Sequence, residues 1–232
     1  MPILFYVTMI IELCVVVLGV YRYRTLTSPI QCLVWTIIFW FVTGVVERVM
    51  GIFNIRNLWL TQCNTLIGLG LFVRIYWFWS TNARYGLILI LSFIGFTILW
   101  IIAKFTFEPF VQSDDYTSSI SILFILCAAI FLMMQILKDG VLRLKNDPRF
   151  WTSAAFILYS TGTFFIFSLF TVMLNISRDL LLIVYPVNWI LTIIAHLLFA
   201  RAIVCGDSKE KQAIKSPVNT GIINQSPITH KE

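Results

Sequence analysis

The sequence predicts an all-α, polytopic membrane protein: a seven-transmembrane-helix bundle with the N-terminus out and the C-terminus in. Three observations carry that prediction. Hydrophobic residues make up 59% of the 232 residues and charged residues 12%, about half the charged share of a soluble domain; mean hydropathy is +0.89. Apolar runs of about 20 residues, the length that crosses a bilayer as a helix, recur along nearly the whole chain. The basic residues crowd into alternate connectors, as the positive-inside rule requires.

The first run, Ile3–Tyr21, has no positive charge before it and Arg22 and Arg24 directly after it. With no small-residue cleavage site, it reads as an uncleaved span that exports the N-terminus. The second, Cys32–Phe53, carries Glu47 and Arg48 in an otherwise apolar stretch. The third, Leu58–Trp79, places Thr61, Asn64, Thr65 and Gly68 at helical spacing, a small and polar stripe suited to close helix approach. Tyr85–Phe107 and Ser118–Leu137 follow. The sixth span, Trp151–Leu174, has a helix-start motif: Asp147 is expected to cap it, Pro148 to set its first turn, and Trp151 with Arg149 to anchor it at the interface. The seventh, Leu180–Val204, contains Pro186 and the stripe Tyr185, Asn188, Thr192, His196. Residues 1–205 thus form the transmembrane domain. Residues 206–232 lack aromatics and apolar periodicity, the composition of a disordered polar cytoplasmic tail.

Arg22, Arg24, Arg84, Lys138, Arg143, Lys145, Arg149, Arg201 and the tail lysines fall on the side assigned as inner. Only Arg48, Arg56, Lys104 and Arg178 fall on the outer side. The net charge of +6 therefore reflects topology and contact with the anionic lipid bilayer; it does not indicate nucleic-acid binding. The five cysteines are scattered without a CxxC pair and read as small packing residues.

Polar groups inside spans carry the functional signal, because a charge in the bilayer interior costs kilocalories and turns toward other helices or a water-filled cavity. Glu47 lies about 9 Å inside the outer end of its span and is too short to reach the headgroups. Arg48, about 100° around the helix, can snorkel outward. The expected outer polar pocket groups Glu47 with Gln62, Asn64 and Asn188, with Lys104 near its mouth. Asn64 is the expected hydrogen-bond partner of Glu47, and Gln62 the alternative. A second, inner cluster is expected from Arg74, Gln135, Tyr159 and His196. Interhelical glue, a structural histidine and a snorkelling Arg74 are the plainer readings of these same residues.

The last span has no lysine for a retinal Schiff base. The chain has no HExxH or other close metal-ligand set, no intramembrane aspartate pair and no GxSxG elbow. No cofactor or metal is implied, and an enzyme is not the reading these absences favour.

Three segments carry a resemblance. ERVMGIFNIRNLWLTQCNTLIGLGLFVRIYWFW, NDPRFWTSAAFILYSTGTFFIFSL and YPVNWILTIIAHLLFARAI resemble stretches of a family of bacterial seven-helix membrane proteins common in the Bacteroidota. The Asp-Pro-x-Phe-Trp start followed by Tyr-Ser-x-Gly is the most specific part. Glu47, Asn57, Asn64, Asp147, Pro148, Phe150, Trp151, Tyr159, Gly162 and Asn188 match the family pattern; Gly68 departs from it, standing where the family typically has a glutamate. Some members of that family resemble sensor modules fused to histidine kinases. The resemblance implies a bacterial inner-membrane, multi-pass sensory or signalling module. Lacking an output domain of its own, it would act through a separate cytoplasmic or membrane partner such as a histidine kinase. The alternative is a small-solute or ion transporter or channel subunit, which the absence of an internal repeat disfavours.

Overall fold

The computed structural model describes residues 2–80, 83–110, 115–138, 144–176 and 178–206, and the backbone alone at residues 2, 167, 169–176 and 178–185. The expected tail and residues 111–114 and 139–143 lie outside the described residues. The described residues form seven helices and no strand: α1 (Pro2–Arg22), α2 (Ser28–Ile52), α3 (Leu58–Trp79), α4 (Ala83–Thr106), α5 (Asp115–Lys138), α6 (Pro148–Ile176) and α7 (Arg178–Cys205). Single 3-10 turns at Tyr23–Thr25 and Leu144–Asn146 precede α2 and α6.

The helices begin and end where local chemistry dictates. α2 starts at Ser28, ahead of the expected Cys32, because Pro29 sits in the first turn, where its missing N–H costs nothing. Gln31 then reaches back to the carbonyls of Tyr23 and Leu26 at 3.1 and 3.2 Å. At the other end Asn54 takes the left-handed conformation (φ 54°). Its N–H donates to Gly51 O and that of Ile55 to Met50 O, a Schellman closure in which Asn replaces the usual glycine. α6 begins at Pro148, with Asp147 Oδ1 accepting from the Arg149 amide at 2.9 Å. The Arg149 guanidinium lies on the same carboxylate at 2.7 Å, and the Trp151 indole donates to Lys145 O at 2.9 Å.

α1 packs on α2 and α7, α2 on α3, α3 on α5, α5 on α6 and α6 on α7, so six helices close a ring. α4 stands outside it, against α3 and α5. One end of the bundle carries the chain's start and the α2–α3 and α4–α5 turns, here the N-terminal end; the other, the C-terminal end, carries Cys205. At the C-terminal end Thr27 N–H donates to Gly206 O and Arg22 to Val204 O, tying the starts and ends of α1, α2 and α7 together.

The C-terminal half of the ring is filled by aromatic rings from three helices, α3, α6 and α7. Phe72 stacks on Tyr76 with centroids 4.1 Å apart, and Phe156 meets Phe72 edge-on at 4.9 Å and Phe199 at 5.1 Å. All four are at most 2% exposed, and Tyr76 OH, deep among them, donates to Ser153 Oγ. Trp40 covers this packing from the N-terminal side, in contact with Phe156 and Phe199. A Cβ on Gly68 would stand 3.1 Å from Trp40 Nε1, so the glycine is what lets α3 come this close to the indole.

The outer surface is apolar: α4 alone exposes Leu87, Ile88, Leu91, Ile94, Ile98 and Ile102. Six helices are long and apolar enough to cross a membrane, α1 to α5 and the Pro186–Cys205 part of α7. Such a set on one chain has the length and composition of a multi-pass membrane protein.

Candidate ligand-binding chamber

Above the aromatic packing, in the N-terminal half of the ring, lies a cavity of about 270 Å³ between α1, α2 and α7, with α3 and α6 at its back. Its polar lining is Thr8 and Glu12 from α1, Glu47 from α2, Asn64 from α3, Tyr159 from α6 and Thr192 with His196 from α7. Phe5, Trp40, Trp189 and Phe199 supply the aromatic walls. A smaller lobe of about 140 Å³ between α3, α5 and α6 shares Trp40, Asn64 and Tyr159 with it. That lobe is lined by hydroxyls, among them Thr61, Thr65, Ser118 and Thr163.

Glu47 faces this chamber. The third-helix donor to its carboxylate is Thr61 Oγ1, at 3.1 Å, one turn short of the expected Asn64. Asn57 Nδ2 donates to the Glu47 carbonyl at 3.2 Å, locking the α2–α3 hairpin. Asn64 lines both lobes, and its Oδ1 is buried there with no hydrogen-bond partner among the described residues. Arg48 does not enter the chamber; its guanidinium lies 4.6 Å from the centroid of Phe5.

At the far end of the chamber, His196 Nε2 stands 3.8 Å from Glu12 Oε1. His196 Nδ1 is 2.8 Å from Thr192 O. A carbonyl can only accept, so Nδ1 carries its proton. Nε2 then faces the Glu12 carboxylate across 3.8 Å, outside hydrogen-bond distance.

The structure redraws the two expected clusters. Tyr159 and His196 belong to the same chamber as Glu47 and Asn64. Gln62, adjacent in sequence to Thr61 and so about 100° around the helix, faces away and donates to Pro109 O at 3.3 Å. Lys104 is not at the mouth. It sits on α4, outside the ring, in a buried ion pair with Glu108 (3.6 Å, side chains 1% and 3% exposed). Asn188 accepts a hydrogen bond from Thr163 at 3.3 Å, linking α7 to α6 beside the small lobe. Arg74 lies in a lateral groove with Tyr23, Gln31 and Trp35, its guanidinium over Phe78. Gln135 lines neither lobe. The physical reason is the place of α4 and the rotation of α3: residues assigned to one depth occupy different faces.

Glu12 and Glu108 were missed by the sequence reading. Glu12 interrupts the first apolar run as Glu47 interrupts the second, and the same rule would have found it. Glu108 falls between the expected fourth and fifth spans, so a search confined to the spans passes over it. In the structure it receives the N–H groups of Tyr116 (2.6 Å) and Thr117 (3.3 Å) and the Thr117 hydroxyl (2.6 Å), closing the start of α5.

Fold and composition are those of a multi-pass helical membrane protein: an all-helical bundle with six candidate membrane-spanning helices. In comparisons with known proteins the chain matched no family model, no curated protein and no solved structure.

Proposed function

We propose that the protein is a sensory module of a bacterial inner membrane, all seven helices spanning with the N-terminal end outside, and that the chamber receives its stimulus. The observation that carries this reading is the dead end: a polar chamber occupies the N-terminal half of the helix ring, and close-packed aromatic rings fill the other half. A conducting path would need polar or hydrated lining through both halves. The resemblance of three segments to a family with kinase-fused members supports an output through a separate histidine kinase or similar partner. A small-solute transporter or channel subunit is the second reading, favoured only by the polar cavity itself.

Proteoliposomes holding the purified chain should release small cations, anions and amino acids no faster than protein-free vesicles. Deleting the gene should change the phosphorylation of a histidine kinase or response regulator, and restoring the chain should reverse that change. Saturable solute flux would overturn the sensory reading in favour of transport.

A further inference from the structure

We propose that the lateral groove between α2 and α3, at the C-terminal end of the bundle, seats one anionic phospholipid, its phosphodiester on Arg74 and the Tyr23 hydroxyl and one acyl chain along the groove floor. Neither the sensory reading nor the chamber enters into this. The charge comes from Arg74, exposed among the apolar Ile67 and Phe78. It meets no carboxylate among the described residues, and its guanidinium lies 5.9 Å from the centroid of Phe78, one turn nearer the C-terminal end. Arg74 stands five residues before the end of α3 at Trp79, so its backbone is roughly 8 Å inside the helix end. The long side chain, leaning toward that end, carries its charge to the level of the lipid phosphates. The groove lining holds no aspartate or glutamate, so the groove presents positive charge to whatever enters it.

The groove, about 670 Å³ in volume, is polar at one end and apolar at the other. Tyr23, Ser28, Gln31 and Arg74 line the end where α2 starts and α3 finishes. Phe39 lies eight residues beyond Gln31 on α2, and Ile67 seven residues before Arg74 on α3, each roughly 10–12 Å deeper. The apolar lining therefore runs through most of one leaflet, about half of a ~30 Å hydrocarbon core. A polar end at the interface and an apolar floor beneath it is the polarity of a lipid. A free anion has no use for the floor, and the rim of Trp35, Ile67 and Phe78, all exposed, belongs in hydrocarbon.

The polar end fits the headgroup. Trp35 Nε1 donates to the Tyr23 hydroxyl oxygen at 2.9 Å, which fixes the phenol and leaves its own proton for an acceptor held in the groove. An arginine with a hydroxyl donor suits a phosphodiester, whose oxygens take charge-assisted hydrogen bonds. Gln31 Nε2 donates to Tyr23 O and Leu26 O, so what Gln31 offers the groove is its Oε1 acceptor. A glycerol headgroup can donate to that oxygen. The ammonium of a zwitterionic headgroup meets no carboxylate in this lining and cancels the charge of its own phosphate. Basic pockets between membrane helices select anionic headgroups on the same grounds.

Native mass spectrometry of the full chain in detergent micelles, titrated with dioleoyl phosphatidylglycerol or dioleoyl phosphatidylcholine, tests this, with thermal unfolding followed in parallel. One phosphatidylglycerol should bind saturably, about tenfold more tightly than phosphatidylcholine, and raise the unfolding midpoint. Arg74→Gln should erase that preference while leaving the midpoint in lipid-free detergent unchanged. Arg201→Gln removes a cation on α7 that lies over Trp151, outside the groove, and should leave the preference intact. Tyr23→Phe deletes one donor and should weaken phosphatidylglycerol binding about threefold. Phosphatidylglycerol with brominated chains should quench the tryptophan emission of the unaltered chain more than that of Trp35→Phe. Equal binding of the two lipids, a preference that survives Arg74→Gln or is lost equally in Arg201→Gln, or quenching that does not involve Trp35 would overturn the lipid site. Protection by inorganic phosphate equal to that by the lipid would overturn it too, in favour of a free-anion site.

Discussion

Lys104→Met and Glu108→Ala break one buried ion pair from opposite sides, and the structure makes the two losses unequal. Both side chains are nearly inaccessible, and Nζ and Oε2 are 3.6 Å apart. Stranding one partner of a buried pair typically destabilises a protein by about 3–5 kcal/mol. With Lys104 replaced by Met, Glu108 keeps the Tyr116 and Thr117 amides and the Thr117 hydroxyl, at a helix N-terminus whose dipole favours an anion. The expected loss is therefore about 1–2 kcal/mol. With Glu108 replaced by Ala, Lys104 keeps among the described residues only the Thr117 hydroxyl at 3.5 Å and the Trp100 face at 5.3 Å, and α5 loses its cap. The expected loss is about 3–5 kcal/mol. The double substitution should cost less than the sum of the singles by about 1 kcal/mol or more, because the second change removes the group the first one stranded. Equilibrium unfolding in mixed micelles measures all three. If Lys104→Met costs as much as Glu108→Ala, or if the two losses simply add, the assignment of Glu108 to the start of α5 is wrong.

Other outcomes follow from the same geometry. Asp147→Ala removes the acceptor of the Arg149 amide and should lower stability by about 1 kcal/mol, whereas Asp147→Asn should recover most of it. Phe156→Ala, in the aromatic packing, should cost about 3–5 kcal/mol, with chamber variants such as Thr8→Ala costing far less in the same unfolding assay. Glu12→Gln keeps a hydrogen-bonding group before His196 and should fold normally. Glu12→Leu strands the imidazole in a chamber it lines at 5% exposure, and should destabilise by about 1–3 kcal/mol.

Helix number and rough helix position were legible because apolar runs of bilayer length dominate the composition, and each expected span overlaps an observed helix. The ends were less so: at α2, Pro29 and Gln31 extend the helix beyond the apolar run that marked it. Site grouping failed where it depended on helix rotation and ring order, which no single span encodes. Thr61 and Gln62 are neighbours in sequence, yet one bonds Glu47 and the other bonds Pro109. Lys104 was placed near Glu47 by depth alone, but α4 packs outside the ring. His196 and Glu47 were split between inner and outer clusters because the two-turn height of the chamber, set by Trp40 below it, depends on tertiary packing. Glu12 was legible in principle, since a lone carboxylate in an apolar span has to find partners inside the bundle.

The central claim is a polar chamber that ends on a packed aromatic floor. It is tested most directly by cysteine accessibility in a chain whose five native cysteines are replaced. Thr8→Cys lies in the chamber, and Ser153→Cys lies beyond the floor, where Ser153 is fully buried. A small methanethiosulfonate reagent applied from the N-terminal side should modify Thr8→Cys readily and should leave Ser153→Cys unmodified. No modification of Thr8→Cys, or ready modification of Ser153→Cys, would contradict it.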